Sequence, residues 1–273
     1  MDRAWAGRAW YILLTSLLAV LIAVALVFIS LPILSIFLRI EPGAFFASFA
    51  DPTVADALVL SLVTATASTA LVLLFGTPIA YINARHRYRG RTIVDTITDL
   101  PAVLPPAVAG LALLMAFGRR GVAGQYLDML GIDIAFTTLA VVLAQAFVSS
   151  PFYIRQARAS FQAVNQEYEE AARTMGSSGM HTFLHVTIPL ASSGLVSGVI
   201  MAWARALGEF GATIMFAGNM PGRTQTMPLA IYSSMEGDMT AALSISIILI
   251  AISFGVIIAV KVLGKRWTYV DGD

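Results

Sequence analysis

Side chains able to do chemistry are sparse in this sequence, so their placement is informative. Sixteen Asp and Glu and seventeen Lys and Arg are spread over 273 residues. Arg205 and Glu209 stand four apart inside an apolar run, on one face if that run is helical. An isolated charge there costs at least about 2.5–3.5 kcal/mol on insertion scales, so such residues face a bundle interior or a watery cavity. The two could form an ion pair that fixes packing. Alternatively they could line a path in which Arg205 offsets a passing anion and Glu209 holds the arginine in place. Asp95 and Asp99 are also four apart and could pair with the arginines at 85–91 or sit at an interface. His181 and His185 share a helical face, but no carboxylate ligand stands beside them, and no metal site is assigned. There is no cysteine, no G-x-x-x-x-G-K-[ST] phosphate loop, no G-x-S-x-G and no H-E-x-x-H. The chain therefore carries no ATP site of the usual kind, and no catalytic residue or cofactor is assigned to it.

The elements that hold these residues are apolar. Hydrophobic residues make up 58% and charged residues 12% of the chain, against about 25% charged in a soluble domain. Mean hydropathy is +0.80. The apolar residues gather in runs near or above the ~18–20 needed to cross a bilayer as a helix, unlike the short alternating segments of a membrane barrel. The expectation is an all-α, polytopic membrane protein with six spans at 10–38, 54–82, 93–118, 136–163, 187–217 and 240–264. No linker or low-complexity tract interrupts it, so residues 1–273 read as one membrane domain. Connections at 119–135 and 218–239 are long enough for short helices lying on the bilayer.

Orientation follows from Lys and Arg near the span ends. One side collects Arg3, Arg8, Arg85, Arg87, Arg89, Arg91, Arg155, Arg158, Arg173, Lys261, Lys265 and Arg266. The other has Arg39, Arg119, Arg120 and Arg223, with Arg205 left inside a span. Twelve against four puts both termini in the cytoplasm of a cell (plasma) membrane protein. The arginines at 85–91 then face phospholipid head groups, and nucleic acid is not expected as a partner.

The polar interruption at 165–189, NQEYEEAARTMGSSGMHTFLHVTIP, falls on the cytoplasmic side. Asn165 suits an N-cap, Glu167, Glu169 and Glu170 suit the positive end of a helix dipole, and Gly176 or Gly179 would end the helix. A second amphipathic stretch at 180–186 leads back to Pro189 and the next span. Read from the residues, this is either a solvated loop or a short helix presented to a groove on a partner.

Glu170-Ala171-Ala172, then Gly176 and Ile188-Pro189, resemble the E-A-A loop of ABC-importer permeases. Phe183 and Val186 fall where that loop has an aromatic and an aliphatic residue. The resemblance implies a type I ABC-importer permease-like fold in which the loop at about 165–186 is the coupling helix. It assigns ATPase coupling to Glu170, Ala171, Ala172, Gly176 and Pro189. It also implies two copies of a cytoplasmic ATP-binding subunit, a second permease copy and an extracytoplasmic binding protein.

The string Arg205-Ala206-Leu207-Gly208-Glu209-Phe210-Gly211-Ala212-Thr213, with Met227-Pro228-Leu229, resembles the molybdate/tungstate/sulfate branch of these permeases. Leu207, Phe210 and Ala212 look like the molybdate–tungstate members, which makes molybdate or tungstate the expected oxyanion cargo and sulfate or another small solute the alternative. Pro101, Pro105 and Pro106 lie within six residues and must break or sharply kink the third span. Non-helical backbone at that depth is tolerated only when buried in protein or lining a cavity. It is thus a packing kink or a gate, and Asp99, Pro101, Pro105, Pro106, Arg205 and Glu209 are the candidate pore or gate residues. Gly194 and Gly198 form a GxxxG pattern suited to close helix packing. An ion-coupled secondary transporter would instead show repeated halves, and an intramembrane enzyme would need paired catalytic groups that Arg205 and Glu209 do not supply.

Overall fold

A computed structural model describes the backbone of residues 2–48 and 50–268, and side chains of 11, 13–43, 45–48 and 50–258. The basic side chains Arg3, Arg8, Lys261, Lys265 and Arg266 lie outside the described residues. Among the described residues there are only helices: α1 (Asp2–Arg39), α2 (Pro42–Ser48), α3 (Pro52–Arg85), α4 (Arg91–Val103), α5 (Pro106–Phe117), α6 (Gly124–Met129), α7 (Thr138–Ala163), α8 (Gln166–Thr174), α9 (Gly179–Thr182), a π-turn (Phe183–Thr187), α10 (Ile188–Leu207), α11 (Gly211–Ala217), α12 (Met227–Ser234) and α13 (Met239–Thr268). Five helices are long and apolar enough to cross a membrane, and α4 with α5 makes a sixth if that pair, bent by 117°, is one span.

The core is a bundle of α3, α7 and α10. Small hydroxyl residues on α3 allow the close approach without leaving polar groups stranded. Thr64 donates to the carbonyl of Leu60, and Ser68 and Thr69 donate to that of Ala65, all buried. Gly194 and Gly198 face α7 directly. A Cβ on Gly194 would stand 2.0 Å from Ser160 Oγ, and one on Gly198 would stand 3.2 Å from Gln156 and Tyr153. The GxxxG pattern therefore serves packing within the chain. By contrast, α1 is apolar and, apart from half-buried Ser35 and Ile36, exposed along the part whose side chains are described.

Two expectations need correcting. The 187–217 span is not one rod, because α10 ends at Leu207 and the chain restarts as α11 at Gly211. The 218–239 connection is not a wholly exposed surface segment either. Thr224, Gln225, Thr226, Met227, Leu229 and Ala230 are buried, and the Met227 N–H donates to Ser61 Oγ at 2.7 Å, which draws α12 against α3. The 119–135 connection is mostly exposed, with Ile134 buried in the core, and there Arg119 donates to Asp133 at 2.6 Å. That hydrogen bond holds the Asp133 carboxyl below its usual range.

Candidate functional site

Two constellations gather the candidate residues. The first is α8. Asn165 caps it, its Oδ1 accepting from the Glu167 N–H at 3.1 Å. At the other end Gly176 has φ +89, its N–H donates to the Arg173 carbonyl, and the Ser177 N–H donates to that of Ala172. This is a Schellman ending, for which a left-handed glycine is the usual residue. Nothing lies within 4 Å of a Cβ built on Gly176, so backbone conformation alone selects glycine there.

The two faces of α8 do different things. Its inner face is Glu169 and Ala172, both buried. Glu169 Oε1 accepts from Arg85 Nε at 3.0 Å, from the Arg85 Nη2 at 2.7 Å and from Thr187 Oγ1 at 2.9 Å. Arg85 closes α3 and Thr187 closes the π-turn that leads into α10, so one carboxylate ties the loop to the adjoining ends of two long helices. Its outer face is Tyr168, Ala171 and Met175, an exposed stripe at i, i+3 and i+7, flanked by Glu167 and Glu170. Glu170 and Ala171 are thus presented outward, whereas Ala172 packs inward. The sequence singles out Glu170 for coupling and gives Glu169 only a place at the helix dipole, and it does not single out Tyr168 or Met175. A helical wheel of 166–175 carries that signal, since 169 and 172 share one face and 168, 171 and 175 another.

Behind α8 the chain re-enters the bundle as a continuous helix from Gly179 to Leu207. Pro189 would clash with the preceding turn of a regular helix. The wider π-turn, closed by the Ile188 N–H donating to Phe183, lies immediately before it and lets the helix run through. Phe183 packs on Tyr81 and Phe161, with ring centroids 4.7 and 6.1 Å away. A cleft of about 460 Å³ opens beside α8 between α7 and α10, lined by Gln156, Ser160, Asn165, Tyr168 and Ser193.

The second constellation joins the two broken helices. Pro105 precedes α5 and Glu209 precedes α11, and these half-helices pack together so tightly that glycine is required. A Cβ on Gly110 would stand 2.6 Å from the Ala212 carbonyl oxygen, and one on Gly211 would stand 2.6 Å from Pro106 Cβ. Glu209 lies beyond the end of α10 rather than on its face, yet Arg205 Nη1 reaches its Oε2 at 2.7 Å, with side chains 29% and 1% exposed. The other oxygen, Oε1, accepts from the Ala212 N–H at 2.8 Å. Glu209 therefore holds the break and starts α11, while partly exposed Arg205 remains reachable. Pro105, Pro106 and Ala107 are exposed on the same assembly.

Asp99 and Pro101 sit elsewhere. Asp99 accepts from Arg155 Nε at 2.5 Å, and Asp95 accepts from Arg158 Nη1 at 2.7 Å and from Asn83 at 2.8 Å, with Arg91 more distant at 3.9 Å. The carboxylates of α4 thus pair mainly with α7, not with the 85–91 arginines. Pro101 is buried against α7, and a cleft of about 330 Å³ beside Ala102 takes Arg155, Gln156 and Met201 in its lining. His181 and His185 stack with centroids 4.0 Å apart, and no group of three or more metal-ligating side chains occurs among the described residues.

Residues 73–269 match the family described as binding-protein-dependent transport system inner membrane component. The molybdenum transport system permease protein ModB of Mycobacterium tuberculosis is 43% identical over 235 residues, covering 86% of this chain and 89% of that protein. The sulfate transport system permease protein CysT of Salmonella typhimurium is 36% identical over 218 residues, covering 80% and 79%. Among solved structures, a bacterial alginate ABC transporter in complex with alginate pentasaccharide-bound periplasmic protein superposes with a TM-score of 0.72 at 17% identity, covering 98% of this chain and 99% of that one.

Proposed function

The chain belongs to the family of binding-protein-dependent transport system inner membrane components, and from that premise we propose that it is the multi-pass permease of an ABC importer for molybdate. The observation that carries the reading is α8, a capped, two-faced helix pinned inside by Glu169 and offering Tyr168, Ala171 and Met175 outside. An amphipathic helix of this kind suits a groove on a partner, and with no phosphate loop in this chain the partner must supply ATP hydrolysis. Two ATP-binding subunits and a second permease copy would complete the machine, with an extracytoplasmic oxyanion-binding protein delivering cargo. The relative named for molybdenum at 43% identity favours molybdate, and tungstate is a chemically equivalent cargo. The sulfate relative makes sulfate the second reading.

Mechanism follows from the mechanical links. ATP closes the two ATPases and draws the docked loops at about 165–186 together, with Glu170 and Ala171 on the docking surface, Ala172 seating the helix from its inner face and Gly176 ending it. Glu169 passes that motion to Arg85 on α3 and, through Thr187 and the π-turn before Pro189, to α10. The far end of α10 carries Arg205, with Glu209 just beyond it at the break that packs on Pro106, and Arg205, Glu209, Pro105 and Pro106 serve as gate residues with Asp99 and Pro101. Population shifts between inward- and outward-facing arrangements arise only from differential binding of ATP and loaded binding protein. The test is uptake of labelled molybdate into proteoliposomes containing the permease, ATPase and binding protein. Uptake should require ATP inside and binding protein outside. Uptake that persists without the ATPase would refute the proposal.

A further inference from the structure

One groove lies apart from the loop helix and touches the proposed gate residues only at Pro101. α3 and α4 scarcely touch along their lengths, yet both rest on α7, and the V between them is lined by Leu71, Phe75, Ile79, Ile97 and Pro101 with Ile154 at its floor. Its volume is about 300 Å³, and the lining is almost wholly apolar. The two helices are joined at one end, where Asn83 donates to Asp95 and accepts from Tyr88 Oη. That end is the 86–90 loop, which closes the V and carries exposed Arg87 and Arg89.

Charge at the mouth is unbalanced. Asp95 and Asp99, the carboxylates of α4, are already engaged by Arg158 and Arg155. No ion pair of Arg87 or Arg89 occurs among the described residues. The depth also fits one leaflet. At 1.5 Å per residue, Ile79 lies about 9 Å and Leu71 about 21 Å from the end of α3 at Arg85. A head-group layer of about 5–8 Å above a hydrocarbon half of about 15 Å spans the same interval. Arg87 and Arg89 stand at phosphate level when the groove lies among the acyl chains.

We infer that the groove between α3 and α4 seats an acyl chain of an anionic phospholipid whose head group is held by Arg87 and Arg89. The groove supplies the seat for the chain, and the two arginines supply the preference for negative charge. This inference rests on the 86–90 loop facing a head-group layer, not on the identity of the cargo.

The full chain, reconstituted in nanodiscs of equal phosphatidylglycerol and phosphatidylcholine and then released for native mass spectrometry, gives the direct readout. Wild type should retain lipid enriched in phosphatidylglycerol over the bulk ratio. Each basic residue near an anionic surface is worth about fivefold, so Arg87→Gln with Arg89→Gln should reduce that preference by up to about 25-fold while leaving retained lipid in place. Thr98→Trp, which fills the groove, should lower retention of both lipids. A bulk ratio in wild type, or an unchanged preference in the double variant, would overturn the inference. Because transport is not measured, failure of the importer reading and failure of this one are separable.

Discussion

Glu169→Gln attacks the carboxylate that ties the loop helix to both α3 and the π-turn. The substitution keeps the side chain's shape and removes its charge. Three hydrogen bonds converge on a single oxygen of Glu169, and both its side chain and that of Arg85 are only 6% exposed. Removing the carboxylate strands the guanidinium without a counter-ion, and breaking a buried pair in this way costs about 3–5 kcal/mol. At about 1.4 kcal/mol per tenfold, the seated position of α8 becomes some 10² to above 10³ times less favoured. The outer stripe of Tyr168, Ala171 and Met175 is untouched, so the ATPase should still associate. The assay is ATP hydrolysis and molybdate uptake measured together in proteoliposomes. The expected result is hydrolysis largely retained with uptake per ATP reduced at least tenfold. Restoration by the reversed pair, Arg85→Glu with Glu169→Arg, would attribute the loss to the link itself. Glu170→Gln, on the exposed face, should weaken subunit association and leave uptake per ATP unchanged. A Glu169→Gln complex with wild-type uptake per ATP and unchanged melting would refute the reasoning.

Other outcomes follow from the same geometry. Met175→Asp places a charge on a side chain 83% exposed, so the permease should melt as wild type while ATPase copurification is lost. Gly110→Val sets atoms against the Ala212 carbonyl, where even a Cβ would lie at 2.6 Å. Overpacking of that kind costs about 1–3 kcal/mol, read as a lower melting temperature of the detergent-solubilised protein. Arg205→Gln strands the buried Glu209 carboxylate, and because Arg205 is 29% exposed the loss should be about 1–3 kcal/mol, below the fully buried range. Adding Glu209→Gln should restore melting but not uptake, since the path then lacks its cation; restored uptake would reduce the pair to packing.

What the sequence made legible was local, and what it hid was relational. Asn165 and Gly176 bound α8 by rules of capping and left-handed backbone that operate within a few residues. Pro105 and Pro106 likewise forced the break between α4 and α5 by removing donors and crowding carbonyls, whereas Pro101 is accommodated inside α4. Arg205 and Glu209 were recognisable as a costly pair, yet the end of α10 between them was not. Glu209 accepts the Ala212 N–H and so terminates one helix by starting another, which spacing alone cannot distinguish from a continuous turn. The partners of Asp95 and Asp99 were hidden for a different reason. Arg158 and Arg155 lie 63 and 56 residues away along the chain, whereas the 85–91 arginines are near neighbours in sequence. Glu169 was overlooked beside Glu170 because only its partners on α3 and the π-turn distinguish the two carboxylates.

The absence of cysteine from the chain allows the central claim, that the exposed face of α8 is where ATP hydrolysis enters this permease, to be tested by single-cysteine cross-linking. Met175→Cys and Arg223→Cys would each be placed alone in the assembled complex, treated with a short thiol-to-amine cross-linker and analysed for the subunit captured. The account expects the residue-175 thiol to capture the ATP-binding subunit and the residue-223 thiol to capture none of it. Capture of the ATPase from position 223, or its absence from position 175 in a complex that still transports, would contradict it.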